Sequence, residues 1–326
     1  MARVLITGGT GFVGSHAVEE FVRAGWTVRL LIRNPRRLIW SSDYPIETVV
    51  GVLTDDHALD VAVKDCDVVV HCAALTKARF PAEYFEINAA ATGKLVHAAR
   101  TNSVRRFVFC STQAAAGPSD GINPTVESDS PQPISDYGRS KLEGERFVCD
   151  NSGEMQWIIL RPPSVLGPRD EQFVPLFRAV ARYGVYPKFG SGEQQYSYIG
   201  VQDLTRALRT AAEADMGIND TYFVANSDSV RWKDIAEDIA RLAGRKVRPI
   251  ILSSPLLFAM AFVLETIAAL RNKPALLNRE KIAEIMAPAW VCSSEKIRKT
   301  MDFACESSRE DVLRTTYEAY RSAKLL

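Results

Sequence analysis

Apolar runs and helical stretches alternate along the first half of the chain. Val4–Thr7, Val28–Ile32, Glu47–Val50, Asp67–His71, Arg106–Cys110 and Trp157–Leu160 are short runs dominated by Val, Ile, Leu and Phe. Runs of this length between turn residues read as strands. Their apolarity is continuous rather than alternating, which predicts strands covered on both faces. Between them, Phe12–Ala24, Asp56–Lys64, Pro81–Arg100 and Asp136–Asp150 carry helical spacing. Strands separated by helices imply crossover units and a parallel sheet. Gly117–Pro133, rich in Gly, Pro, Ser and Asp, reads as an exposed loop.

Helical patterns dominate the second half: Val174–Tyr183, Val201–Ala214, Trp232–Ala243, Pro255–Leu270, Arg279–Met286 and Arg309–Arg321. They predict a smaller, mostly helical region at the carboxyl edge of the sheet, where open parallel sheets bind ligands. Pro255–Leu264 is wholly apolar, about half of the ~20 residues that a bilayer span needs. It reads first as a buried or substrate-covering helix. A weak contact of 255–270 with a membrane surface is the second reading, and a transmembrane span is not expected. The N-terminal run Val4–Ile6 stops within two residues of a glycine, as a buried strand does and a secretory signal does not.

Composition narrows the function. The 326 residues carry 40 Lys+Arg against 39 Asp+Glu, with 47% hydrophobic and 24% charged. That balance is unlike a disordered chain and lacks the basic excess of a nucleic-acid binder. Six cysteines in no Cys-x-x-Cys pair, and four scattered histidines (His16, His57, His71, His97), suggest neither a disulfide scaffold nor a metal site. Reduced thiols and a cytoplasmic location are the expectation.

The chemistry begins after the first strand. Thr7-Gly8-Gly9-Thr10-Gly11-Phe12-Val13-Gly14 places Gly8, Gly11 and Gly14 in a Gly-x-x-Gly-x-x-Gly spacing between strand and helix. Gly8 permits a tight turn, Gly11 lets backbone approach a pyrophosphate, and Gly14 lets helix and strand pack closely. Phosphates then sit on the free N–H groups at the helix start. Arg33 stands after the second strand, where an NAD binder usually places Asp or Glu, with Arg36 and Arg37 close behind. A guanidinium pairs bidentately with a 2′-phosphate, so NADP is the expected cofactor and NAD the other candidate.

Tyr137 and Lys141 lie four apart at the start of a helix, on one face. A free phenol titrates near ~10, and a nearby ammonium lowers that value. Upstream, Cys110-Ser111-Thr112 ends a strand in two hydroxyls, which suit polarisation of a substrate carbonyl beside the tyrosine. Taken singly, each of these signals also fits ordinary structure.

In order along the chain, TGGTGFVG, HCAA at His71–Ala74, CST at Cys110–Thr112, YGRSK at Tyr137–Lys141 and LRPPSVLGP at Leu160–Pro168 resemble the extended short-chain dehydrogenase/reductase family. The match covers the first 170 residues and continues loosely through Val201–Asp203 and Thr221–Asn226. The resemblance implies a Rossmann-type doubly wound sheet, with 1–168 and 201–230 binding the dinucleotide and 169–200 and 231–326 binding substrate. It makes Tyr137 the acid/base, Lys141 its partner and Thr112 the carbonyl-orienting hydroxyl, with Ser111 assisting. Gly8, Thr10, Gly11, Phe12, Val13, Gly14, Arg33 and Arg36 would hold the cofactor. Ala73 and Ala74 would line its adenosine side, Asn88 would support the neighbouring loop, and Pro162 to Val165 would pass the nicotinamide. A homodimer is the assembly it implies. Two positions depart from the family pattern: Val52 replaces the usual adenine-binding Asp, leaving Asp55 as candidate, and Ala91 replaces a glycine.

Two branches compete for the substrate. Nucleotide-sugar epimerases and dehydratases, with tightly held NAD, typically carry an Asn where this chain has Ser164, and an Arg within the stretch Gly190–Tyr198, which here has none. The 3β-hydroxysteroid dehydrogenase and dihydroflavonol reductase branch suits the apolar Pro255–Leu270 helix as a pocket wall, although core packing explains that helix equally well. Tyr183, Tyr186, Tyr196 and Tyr198 read as core residues that also suit a pocket. The expected function is NADP(H)-dependent interconversion of a carbonyl and a secondary alcohol on an apolar small molecule resembling a steroid, flavonoid or keto-acyl compound. A cofactor-binding sensor without turnover is the non-enzymatic alternative.

Overall fold

The computed structural model describes residues 2–326 except 42–43, 191, 253 and 271–277. Ser191, in the glycine stretch read above, therefore lies outside the described residues. The first half runs β1 (Arg3–Thr7), α1 (Phe12–Arg23), β2 (Thr27–Ile32), β3 (Ile46–Val50), α2 (Asp56–Val63), β4 (Val68–His71), α3 (Pro81–Phe85), α4 (Ala91–Thr101), β5 (Arg106–Cys110), α5 (Asp136–Asn151), β6 (Gln156–Arg161) and β7 (Ser164–Leu166). There follow α6 (Val174–Arg178), β8 (Val185–Phe189), β9 (Gln195–Gly200), α7 (Val201–Glu213), β10 (Asp220–Phe223), β11 (Ser229–Arg231) and α8 (Trp232–Leu242). The chain closes with β12 (Arg248–Leu252), α9 (Ser254–Leu270), α10 (Arg279–Met286), β13 (Ala289–Trp290), α11 (Glu295–Met301) and α12 (Arg309–Ser322).

Seven strands form one sheet in the order β10-β6-β5-β4-β1-β2-β3, and every pairing in it is parallel. The order reverses between β1 and β4, which opens a crevice beyond their carboxyl ends. Successive residues of β1 serve opposite cores, as a pleated strand demands. Val4 and Ile6 pack with Phe21 of α1 and Leu204 and Leu208 of α7. Leu5 packs with Leu59 of α2, Leu95 of α4 and Val148 of α5.

The helical reading of the second half omits its short strands. β9 pairs with β7, β11 and β13, and β8 pairs with β12. Around them Phe177, Val180, Tyr186, Tyr198, Ile235, Ile239 and Tyr320 form a separate apolar core. Tyr186 and Tyr198 are therefore core residues, whereas Tyr183 is exposed. The Gly117–Pro133 segment is irregular as expected but not wholly exposed. Ser119 and Thr125 are buried because their N–H groups donate to the carbonyls of Ala289 and Val291. The long helix expected over Pro81–Arg100 is interrupted by a wide turn at Glu86–Ala90, which carries Asn88 inward.

Candidate active site

The glycine loop is shaped by close approach. Gly8 has φ +74°, and a Cβ there would lie 2.7 Å from the Ala73 nitrogen. A Cβ on Gly14 would lie 2.1 Å from the Gly8 carbonyl oxygen, the oxygen that accepts the Gly11 N–H at 2.8 Å. Only glycine fits either position. The Phe12, Val13 and Gly14 N–H groups precede the first intrahelical bonds of α1. The helix cap, Gly11, offers no side-chain acceptor, and its first turn carries no carboxylate. By contrast α2, α5, α10 and α12 are capped by Asp55, Ser135, Asn278 and Ser308. The start of α1 is thus open to an anion, and the residues present fit a dinucleotide. Asp55, the candidate adenine contact, spends one carboxylate oxygen on capping α2 at 3.1 Å.

Across the crevice the loop after β4 carries Cys72, Ala73 and Ala74. Asn88 holds this loop: its amide donates to the Leu75 carbonyl at 3.0 Å and accepts the Leu75 N–H at 2.7 Å. It also donates to Ser140 Oγ at 3.0 Å, tying the loop to α5. The strand residue His71 lies wholly buried between Thr7 and Thr92, and burial pushes its pKa well down. Arg33 and Arg36 stand exposed just past β2. The Arg36 N–H bonds Asn34 at 3.0 Å.

Tyr137 neighbours Thr112, and Tyr137 and Lys141 both lie close to Cys110. The Thr112 side chain lies beside the Tyr137 phenol, and its hydroxyl oxygen accepts the Ala114 N–H at 3.2 Å. The Lys141 ammonium, 1% exposed, donates to the Cys110 carbonyl at 2.9 Å and lies 3.9 Å from the Phe109 ring centroid. No other acceptor meets its remaining donors among the described residues. Burial lowers its pKa to about 8. Burial also raises the Tyr137 phenol above its usual value, with the Cys110 thiol and Glu284 acting the same way and Thr112 opposing. This corrects the expectation of a lowered phenol: desolvation outweighs any help from an ammonium turned toward Cys110. The half-buried Cys72 and Cys110 stand beside each other where the adjacent strands β4 and β5 end. Pro162 accepts the Gln113 N–H at 2.8 Å, so the segments after β5 and β6 run side by side. Val165 packs partly buried at the edge of the larger core.

Several neighbours escaped the sequence reading. Tyr84 of α3 stands edge-on to Tyr137 with ring centroids 6.2 Å apart. Glu280 of α10 accepts the Asp136 N–H at 3.0 Å and Arg139 at 2.7 Å. Beneath the site Glu145 accepts from Ser111 at 2.5 Å and from Arg161 at 3.0 and 2.6 Å. Glu145 follows Lys141 by four residues and Arg161 ends an apolar strand; those two signals were available in the sequence. Tyr84 and Glu280 come from distant segments and left none.

A dinucleotide cradle at the reversal of a doubly wound sheet, with a Tyr–Lys helix and a hydroxyl beside it, defines an NAD(P)-dependent enzyme of the short-chain dehydrogenase/reductase type. The sequence pattern of the NAD dependent epimerase/dehydratase family matches residues 4–225, and the chain belongs to that family. It is 30% identical over 296 residues to a ceramide reductase of Caulobacter vibrioides, covering 89% of this chain and 86% of that one. It is 27% identical over 286 residues to a decarboxylating sterol-4-alpha-carboxylate 3-dehydrogenase of Dictyostelium discoideum, covering 83% and 86%. The fold matches a UDP-glucose 4-epimerase of Thermotoga maritima with a TM-score of 0.80 at 21% identity, over 99% of each chain.

Proposed function

We propose that the protein is an NADP(H)-dependent oxidoreductase that interconverts a carbonyl and a secondary alcohol on a largely apolar small molecule. The observation that carries the reading is Tyr137 beside Thr112, with the buried Lys141 one turn further along the same helix. In the reductive direction the Tyr137 phenol donates its proton to the substrate oxygen, and Thr112 donates a hydrogen bond to the same atom. A raised phenol pKa suits this role, since the group stays protonated at neutral pH. Lys141 offers its unused donors to the ribose. The cradle built by Gly8, Gly11 and Gly14, with Thr10, Phe12 and Val13, holds the pyrophosphate, and Ala73 and Ala74 flank the adenosine. Pro162 and Val165 pass the nicotinamide side. The dinucleotide supplies the hydride to, or takes it from, the carbon that bears this oxygen.

An apolar substrate is supported by two relatives whose names specify a ceramide and a sterol; the apolar cluster of Phe189, Leu257, Ala261 and Ile282 is core packing. That cluster includes α10, whose Glu280 touches the start of the catalytic helix. NADP is supported by Arg33, an exposed guanidinium where a ribose-binding carboxylate would stand. The test is titration with NADPH and NADH, then turnover on ketones and alcohols that include steroids and long-chain keto compounds. Arg33→Ala should weaken NADPH about 10-fold or more, the worth of a hydrogen bond to a charged group, and leave NADH unchanged. Equal loss for both coenzymes would refute the NADP assignment. The second reading, a nucleotide-sugar epimerase, is favoured by the Thermotoga fold match; it predicts tightly held NAD and no net coenzyme turnover.

A further inference from the structure

Among its described side chains, the apolar helix α9 has one apolar face buried in the molecule and another exposed. Leu257 and Ala261, one turn apart, are buried against Phe189 and Ile282. Phe258, Phe262, Val263 and Leu264 are exposed instead, Phe262 by 64%. The strand before it continues the patch, with Ile250 and Ile251 exposed, Ile251 by 72%. From Gly244 to Leu264 the sequence holds Arg245, Lys246 and Arg248 and no Asp or Glu. These three cations are exposed, and none has an ion pair among the described residues. An apolar face beside unopposed cations matches one kind of surface, a bilayer of anionic phospholipid.

We propose that the outer face of α9 and the strand β12 dock on an anionic membrane surface. The helix lies in the interface with Phe258, Phe262 and Val263 toward the acyl chains, and Arg245, Lys246 and Arg248 meet the headgroup phosphates. It does not cross: no helix among the described residues is long and apolar enough to span a bilayer. Glu265 is held by Arg279 at 3.1 Å on the protein side. A second copy of the chain is the competing occupant, by pairing along the free edge of β12. Pro249 in that strand lacks an N–H, and like cations would meet across the join, so the strand is poorly made for it.

The inference stands without the substrate reading, because vesicle binding needs no turnover. The experiment is co-sedimentation of the full chain with vesicles of phosphatidylcholine alone and of phosphatidylcholine mixed with phosphatidylglycerol. Binding is expected on the mixed vesicles, weaker on the neutral ones, and falling with added salt. Arg245→Glu combined with Lys246→Glu should cut the partition coefficient by about tenfold or more. Phe258→Ser combined with Phe262→Ser should cut it on both vesicle types, with coenzyme binding unchanged as the control for folding. The proposal is overturned if the parent protein stays in the supernatant, or if both double variants bind like the parent. It is also overturned if sedimentation velocity shows a dimer that Phe258→Ser and Phe262→Ser dissolve.

Discussion

Replacing Glu145 by Gln tests how the floor of the site is held. The carboxylate is isosteric with the amide, so the change removes charge and little volume. In the parent protein the Glu145 and Arg161 side chains are 4% and 7% exposed and meet at 2.6 Å. The guanidinium gains little elsewhere, with the Phe223 ring centroid 5.7 Å away. Glu145→Gln strands a buried cation, at a cost of about 3–5 kcal/mol. For 326 residues at ~2.1 cal/mol/K each, this corresponds to a fall in Tm of about 4–7 °C. The assay is calorimetry or circular-dichroism melting at neutral pH. Glu145→Leu combined with Arg161→Met, which removes both charges, should recover most of the loss. A Glu145→Gln melt within one degree of the parent would refute the reasoning, because the pair would then not be compensating buried charge.

Gly14→Ala should weaken the coenzyme about 5–150-fold, because the overpacking against the Gly8 carbonyl costs ~1–3 kcal/mol; fluorescence titration of NAD(P)H reads it. Tyr137→Phe should lower turnover by ~10²–10⁴ with coenzyme affinity retained, and full activity in steady-state assays would remove the phenol from the mechanism. With Lys141 lowered to about 8, the free protein loses this cation as pH rises through that value. Coenzyme affinity should be flat below it and decline above it, by about tenfold per pH unit at most. Lys141→Met should abolish that decline in pH-dependent binding measurements. The same lowered value makes stability rise with pH between about 8 and the unfolded ~10.4, where the unfolded chain binds the extra proton.

The dinucleotide half is legible because its signals are local. Val4–Thr7 and Trp157–Leu160, as read, fall within one residue at either end of β1 and β6, since a strand covered on both faces must be a continuous apolar run. The glycine spacing is itself a local signal, although of the contacts behind it that of Gly14 lies within its own loop and that of Gly8 is with the loop after β4. The second half hides its strands because β8, β11 and β12 are runs of five residues or fewer interrupted or flanked by Pro, Arg or Lys and depend on partners far along the chain. The burial of Ser119 and Thr125 was invisible for the same reason. The phenol was misjudged because charge separation can be read from helical spacing, whereas desolvation belongs to the assembled pocket.

The helix α5, which carries Tyr137, begins against a residue from the other half of the molecule. Both carboxylate oxygens of Glu280 accept the Asp136 N–H at 3.0 Å, next in sequence to Tyr137. A carboxylate at a helix start is favoured by the helix dipole by about 0.3–1 kcal/mol when part-exposed, and Glu280 is 31% exposed with Arg139 at 43%. The contact is therefore strong enough to set the position of the first turn of α5 and weak enough to yield. α10 packs in one cluster with Leu257 and Ala261 of α9, so whatever seats α9 bears on Glu280 and then on the turn that carries the phenol. The coenzyme cradle, fixed by backbone contacts in the sheet, has no such dependence. Coenzyme binding should thus be insensitive to what α9 touches, while the placement of Tyr137 responds to it by no more than the few-fold change in rate that a part-exposed contact can supply.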